Sequence, residues 1–134
     1  MPLNQRSKGS SGEREFCKLL NTRLHLKKPA ERNITQSRFG GADILTVRPF
    51  AIEIKRGETL QLDKWWQQAI RQRTKRCPIA ILAFRQNRRK WRVRIEAGYI
   101  IKKRFIINAD DPVEISVEMM LEIIAREKGA KLIR

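Results

Sequence analysis

Residues 43–55 read D-I-L-T-V-R-P-F-A-I-E-I-K, two apolar runs on either side of Arg48-Pro49. The pattern predicts strands over 43–47 and 50–55 turned at that dipeptide. Alternate side chains of a strand share a face, so Glu53 and Lys55 point one way while Ile52 and Ile54 enter the other side of the sheet. A turn centred on Arg48 sets Asp43 directly opposite Glu53, with their Cβ atoms about 4.5–5.5 Å apart. Two carboxylates that close repel, and the pair is tolerated when one is protonated or when a cation sits between them. Oxygen ligands beside an open cleft suit Mg2+ or Mn2+. Lys55, next along the same face, is placed to neutralise a phosphate or to help activate an attacking water. The triplet Glu53-Ile54-Lys55 carries no weight alone, because 14 acids and 12 lysines in 134 residues produce about one acid-x-Lys triplet by chance, and the chain has this one. Its position opposite Asp43 is what gives it meaning.

Upstream, S-x-x-E at Ser10 and Glu13 fits a capping box, which starts a helix at Ser10 or Ser11 and runs it to about Leu26 with Phe16, Leu20 and Leu24 on the buried stripe. Glu13 shares that stripe and so points toward the sheet. A carboxylate aimed inward needs a partner, although the cap alone would also account for it. Residues 27–42 read as loop, with a short strand near Ile34. Downstream, a helix over 60–76 places Leu62, Trp66, Ala69 and Arg73 on one face and ends before Pro78. Ile79 to Phe84 reads as a buried strand and Arg85 to Lys90 as a polar turn. A returning strand then alternates Trp91, Val93 and Ile95 with Arg92, Arg94 and Glu96. A further short strand is expected within 99–107. A last helix over 116–128 turns Val117, Met120, Leu121 and Ile124 inward. Helix, strands, helix, strands, helix imply an α/β fold with a mixed sheet flanked by helices. Residues 1–9 are expected to form a flexible basic arm and 10–134 one domain.

Charge narrows the function. The chain holds 30 Lys and Arg against 14 Asp and Glu, a net of +16, and residues 64–104 alone hold 14 basic residues and one acid. Such a surface calls for a polyanion. No basic amphipathic segment has a broad aromatic face to insert into a bilayer, so nucleic acid is favoured over a membrane. The first residues, MPLNQRSKGSSGE, lack the apolar core of a signal peptide, which predicts a cytoplasmic protein. Cys17 and Cys77 fall in apolar segments and read as small core residues. His25 is the only histidine, so no nucleophilic triad is supported. The turn Arg85 to Lys90, with Arg88, Arg89 and the flanking Arg92 and Arg94, is dense enough in charge to track phosphates. Of the adjacent tryptophans, Trp66 belongs to the core, and Trp65 reads as a core edge before a base-stacking platform.

Three segments taken in order resemble the PD-(D/E)XK nuclease superfamily, and in particular archaeal and phage Holliday-junction resolvases: K-G-S-S-G-E-R-E-F at 8–16, G-G-A-D-I at 40–44 and A-I-E-I-K at 51–55. Carried over by position, the resemblance implies a restriction-endonuclease-like fold in which Glu13, Asp43 and Glu53 hold Mg2+ or Mn2+ and Lys55 is the catalytic lysine. It also implies that Lys8, Arg14 and Arg38 meet phosphate, and that Gln67 or, as an accessory group, Gln68 approaches the site. Ala42 departs from the superfamily pattern, which often has proline there. The implied reaction is phosphodiester hydrolysis leaving a 5′-phosphate and a 3′-hydroxyl. A resolvase would act on branched DNA as a symmetric homodimer, in a bacterial, archaeal or phage-infected cell. Two other readings remain open: a general DNA-nicking nuclease with the same centre, and a non-catalytic nucleic-acid-binding protein, which gives no reason for inward carboxylates on a basic chain.

Overall fold

In the computed structural model the described residues are 5–36, 40–101 and 108–134, with side chains described from Ser11 onward. The elements are α1 (Gln5–Arg23), β1 (Leu24–His25), β2 (Phe50–Gly57), α2 (Leu62–Arg71), β3 (Ile79–Gln86), β4 (Arg92–Glu96), α3 (Ala97–Ile101), β5 (Pro112–Ile115), α4 (Val117–Lys128) and β6 (Lys131–Leu132). The main sheet has the order β2-β3-β4-β5. Strands β2 and β3 run parallel, and the other two pairings are antiparallel. The parallel pair requires a crossover, which α2 supplies. This is the expected α/β arrangement with a mixed sheet between helices.

Both faces of the sheet are covered. Phe16, Leu20 and Leu24 pack with Ile52, Ile54, Ile81, Ala83, Val93 and Ile95, and with Met120, Leu121 and Ile124 of α4. On the opposite face Trp65, Trp66 and Ala69 cover Ala80, Leu82 and Phe84. Trp65 is therefore a core residue and not a stacking platform, its ring 6.4 Å from that of Phe84. Two covered faces explain why β2 and β3 read as nearly continuous apolar runs. Helix α1 lies against β2 at Gly12, where a Cβ would meet Ile54, Arg56 and Trp91 at 3.6–3.8 Å, in ordinary van der Waals contact. Cys17 and Cys77 are free and buried, as expected.

Several boundaries differ from the sequence expectation. Helix α1 is already formed at Gln5, so Ser10 lies inside it and is no cap, and residues 5–9 are helical where an arm was expected. Gln5 to Lys8 contain nothing that opposes a helix. The helix stops at Arg23 because Leu24 and His25 pair with Leu132 and Lys131 near the C-terminus. The strand expected over 43–47 reduces to a bridge at Ile44, which joins Ile52 on one side and Arg32 on the other. The turn itself falls at Arg48-Pro49 as expected, with the Phe50 N–H donating to Val47 O at 2.9 Å. Ile34 is exposed, so the short strand expected there falls at Arg32 instead. Helix α2 ends at Arg71 and not near 76, because Thr74 and Cys77 close a turn of their own through Thr74 N–H to Cys77 O and Cys77 N–H to Thr74 Oγ1, both 3.0 Å. Strand β3 extends through Arg85 and Gln86, which shortens the turn. Residues 97–101 form helix α3 where a strand was expected, and 102–107 lie outside the described residues. Helix α4 matches expectation, with Ser116 Oγ accepting the Met119 N–H and Gly129 closing the end at φ +60°.

Candidate active site

The bridge between Ile44 and Ile52 fixes the register of the segment that carries Asp43. Ile44 and Ile52 exchange both backbone hydrogen bonds, at 3.0 and 3.1 Å, so the residues one step away, Asp43 and Glu53, stand opposite each other. Two hydrogen bonds hold Asp43. Its Oδ2 accepts the Ile54 N–H at 2.7 Å, and its carbonyl accepts the Asn33 N–H at 2.7 Å. The Asn33 side chain donates in turn to Gly40 O and Ala42 O, at 3.1 and 2.9 Å. Gly40 and Gly41 have φ of +68° and +92°, conformations that glycine adopts without steric cost. A Cβ on Gly41 would come within 2.8 Å of Leu45 Cδ1 and 3.3 Å of Asn33 Nδ2. The motif G-G-A-D-I is thus a tight loop whose geometry aims Asp43 at β2.

Three acids meet here. Glu53 is 1% exposed and Asp43 7%, and Glu53 Oε2 is buried with no hydrogen-bond partner among the described residues. Burial, and after it the neighbouring Glu53 carboxyl, pushes Asp43 up to about 7 from an ordinary 3.8. Burial, and after it Asp43, pushes Glu13 up to about 7 from 4.5, against the pull of Arg32. Arg32 grips Glu13 Oε2 through Nε at 3.2 Å and a terminal nitrogen at 3.1 Å. Glu13 therefore points inward, and its acidic partner is Asp43 rather than a helix cap. Lys55 is half-buried, two residues past Glu53 and hence on the same side of the strand.

The donor set fits a hard divalent cation: anionic oxygens crowded at a cost that a cation would relieve, one of them buried and unpartnered. Among the described residues no group of three or more acid, His or Cys side chains is spaced to hold an ion together. Asp43 and Glu53 are the pair that would hold it, with Glu13, ion-paired to Arg32, beside them.

The remaining expected residues divide. Arg88, Arg89 and Lys90 are exposed on the loop between β3 and β4, where Arg88 has φ +66° and the Arg89 N–H donates to Gln86 O at 3.0 Å. Arg85 is engaged within the protein. It donates to Glu15 Oε2 at 2.9 Å and lies 5.4 Å over the Trp91 ring, with its side chain only 13% exposed. Arg14 is exposed on α1. Lys8 lies in α1 with its side chain outside the described set, and Arg38 lies outside the described residues. Gln67 is exposed and Gln68 half-buried on α2, but the glutamine of that segment that touches the Asp43 loop is Gln72, whose Oε1 accepts the Gly41 N–H at 3.0 Å. Sequence reasoning also passed over Arg32, Asn33 and Glu15. Glu15 binds Arg85, the Trp91 Nε1–H at 2.9 Å and Arg56 at 3.7 Å. No spacing rule links these positions, because their partners come from distant segments.

With this geometry, a family described as "Phage putative PDDEXK endonuclease" matches residues 4–121 of the chain. The chain belongs to that family. No curated protein and no solved structure matches it. As a PDDEXK endonuclease it is a hydrolase whose substrate is DNA, and nucleases of this superfamily generally use divalent metal ions. No helix among the described residues is long and apolar enough to cross a membrane.

Proposed function

We propose that this PDDEXK endonuclease is structure-selective and cuts four-way DNA junctions, with Asp43, Glu53 and Glu13 as the carboxylates that hold Mg2+ or Mn2+ and Lys55 as the catalytic lysine. The observation that carries the reading is the pairing of Asp43 with Glu53 across the Ile44–Ile52 bridge, beside Glu13. When bound, the ion would supply Lewis acidity to a phosphate oxygen and lower the pKa of the attacking water. The protein's own part is positional. Ile54 N–H and Asn33 hold Asp43 in place, and burial of Glu53 keeps its oxygens from bulk water. Lys55 brings a positive charge to the same face, where it stabilises the charge that builds on the phosphate as the bond to the leaving oxygen breaks. The products are a 5′-phosphate and a 3′-hydroxyl. The resemblance of residues 8–16 to junction resolvases is what favours a four-way junction over a plain duplex, and paired incision of opposed strands requires a homodimer.

The test uses a labelled four-way junction and a linear duplex of equal length, each with Mg2+, with Mn2+ and with chelator. Symmetric paired cuts confined to the junction and lost with chelator are expected. Equal cutting of the duplex would replace the resolvase by a general nicking enzyme, as would sedimentation that finds only monomer with and without the junction. Binding without cutting under every metal would leave a non-catalytic DNA-binding protein.

A further inference from the structure

The strand that carries Glu53 has a cationic loop at each of its ends. At the Gly57 end stands the loop of Arg88, Arg89 and Lys90, tied down by the Asn87 N–H donating to Gly57 O at 3.1 Å. At the other end Phe50 pairs with Ile79, and Arg48 lies two residues before β2 while Lys75 and Arg76 precede β3. The Ile79 N–H donates to Pro49 O at 3.2 Å, which binds the two cationic turns together. Arg71, in the last turn of α2, is close in sequence. Arg48, Arg71, Lys75 and Arg76 are all exposed. None of them has an ion pair among the described residues, whereas Arg23, Arg32, Arg73 and Arg92 each do.

This end of the sheet is physically joined to the Asp43 loop. Cys77 packs with Ala42 and Ala51, and its thiol donates to Leu45 O at 3.4 Å. Gln72 accepts the Gly41 N–H. The turn bearing Lys75 and Arg76 therefore buttresses the segment that presents Asp43. Like charges gathered without partners repel one another and lower stability, and a polyanion removes that cost. We propose that Arg48, Arg71, Lys75 and Arg76 form a second contact surface for the DNA backbone, on the opposite side of the scissile phosphate from the Arg88–Lys90 loop. The proposal rests on the DNA-cutting reading of Asp43 and Glu53. Seven strand steps of about 3.3 Å separate the two ends of β2, roughly 23 Å, which is about seven nucleotides along one DNA strand. Glu53 lies between them, so a duplex touching both surfaces lays its intervening phosphates across the acids.

The experiment compares three full-length triple variants on a linear duplex without metal: R48Q/K75Q/R76Q, R88Q/R89Q/K90Q, and K18Q/K27Q/K28Q as a control of equal charge on exposed residues elsewhere. Thermal melting confirms that each folds. The first variant should bind about tenfold or more weakly at 0.1 M salt. Its plot of log K against log salt should shallow by about 2–3, near 0.9 for each phosphate no longer neutralised. The control should change both far less. In hydroxyl-radical footprints the first two variants should each lose protection, at opposite ends of the protected stretch. A first variant that behaves like the control, or two variants that trim the same end, would overturn the proposal. Glu53→Gln is assayed separately for cleavage, so failure of the nuclease reading is seen independently of the binding surface.

Discussion

Asp43 Oδ2 accepts the backbone N–H of Ile54 at 2.7 Å, so the acid of one segment is bonded to the residue that stands between the acid and the lysine of the other. At 2.7 Å this buried hydrogen bond is short for an N–H donor. It ties Asp43 to the backbone between Glu53 and Lys55, making one local unit of the three, even though the segment around Asp43 forms no extended strand.

Replacing any member of that unit should stop the chemistry and spare the grip on DNA. Asp43→Asn, Glu53→Gln and Lys55→Ala should each cut cleavage by about 100-fold or more, the scale of losing one charge-stabilising group. DNA affinity should stay nearly unchanged, or tighten in metal-free buffer as repulsion with phosphate is relieved. Single-turnover cleavage at saturating protein measures this, and a wild-type rate for the Glu53 variant would sink the proposed centre. Glu13→Gln should follow the same pattern.

The crowded acids should impress a slope on stability. Asp43 and Glu13 titrate at about 7 in the fold, raised first by burial and then by their acidic neighbours, against ordinary values of 3.8 and 4.5 once unfolded. The folded chain thus binds more protons between these limits, and stability falls as pH rises from about 4 to about 7, then levels off. Urea melts in chelator should show this decline, shallower in Asp43→Asn. Adding Mg2+ or Mn2+ at about pH 8 should recover stability, since the ion binds carboxylates gathered only in the fold. A flat profile in chelator would contradict the burial of charge at Asp43.

Gly41 should be the less replaceable glycine of the loop. At φ +92°, with Leu45 2.8 Å from where an alanine methyl would sit, Gly41→Ala combines backbone strain with crowding, while Gly40 at φ +68° has open space around it. Gly41→Ala should cost about 1–3 kcal/mol and Gly40→Ala about 1 kcal/mol. Denaturant midpoints would rank them, and the Gly41 variant should also cut more slowly because Asp43 is displaced.

Glu15 and the exposed loop should separate stability from binding. Glu15→Ala leaves the largely buried Arg85 guanidinium without its carboxylate and Trp91 Nε1 without its acceptor. A loss of about 1–3 kcal/mol follows for this partly exposed network. Neutralising Arg88, Arg89 and Lys90 together should weaken binding with no loss of stability and no loss of cutting once DNA is saturated. Loss of cutting at saturation would place that loop at the reacting phosphate.

Much of this protein is legible in its residues because the signals are local. Period-two alternation over 50–55 placed Glu53 and Lys55 on one face, and the turn at Arg48 set Asp43 opposite Glu53, a register that the Ile44–Ile52 bridge bears out. The stripe of Phe16, Leu20 and Leu24, the buried run from Ile79 and the inward face of the last helix, Met120, Leu121 and Ile124, lay equally close to the surface of the sequence. What sequence could not supply is whatever depends on partners far away in the chain. Helix α1 ends at Arg23 because β6 captures Leu24. Glu13 is held by Arg32, 19 residues away, and Arg85 pairs with Glu15, 70 residues away. The chain by itself determined which side chains share a strand face, since backbone geometry sets that period; only the tertiary structure decided which charges are buried together and which arginines remain free for phosphate, since burial and pairing are properties of contacts between segments.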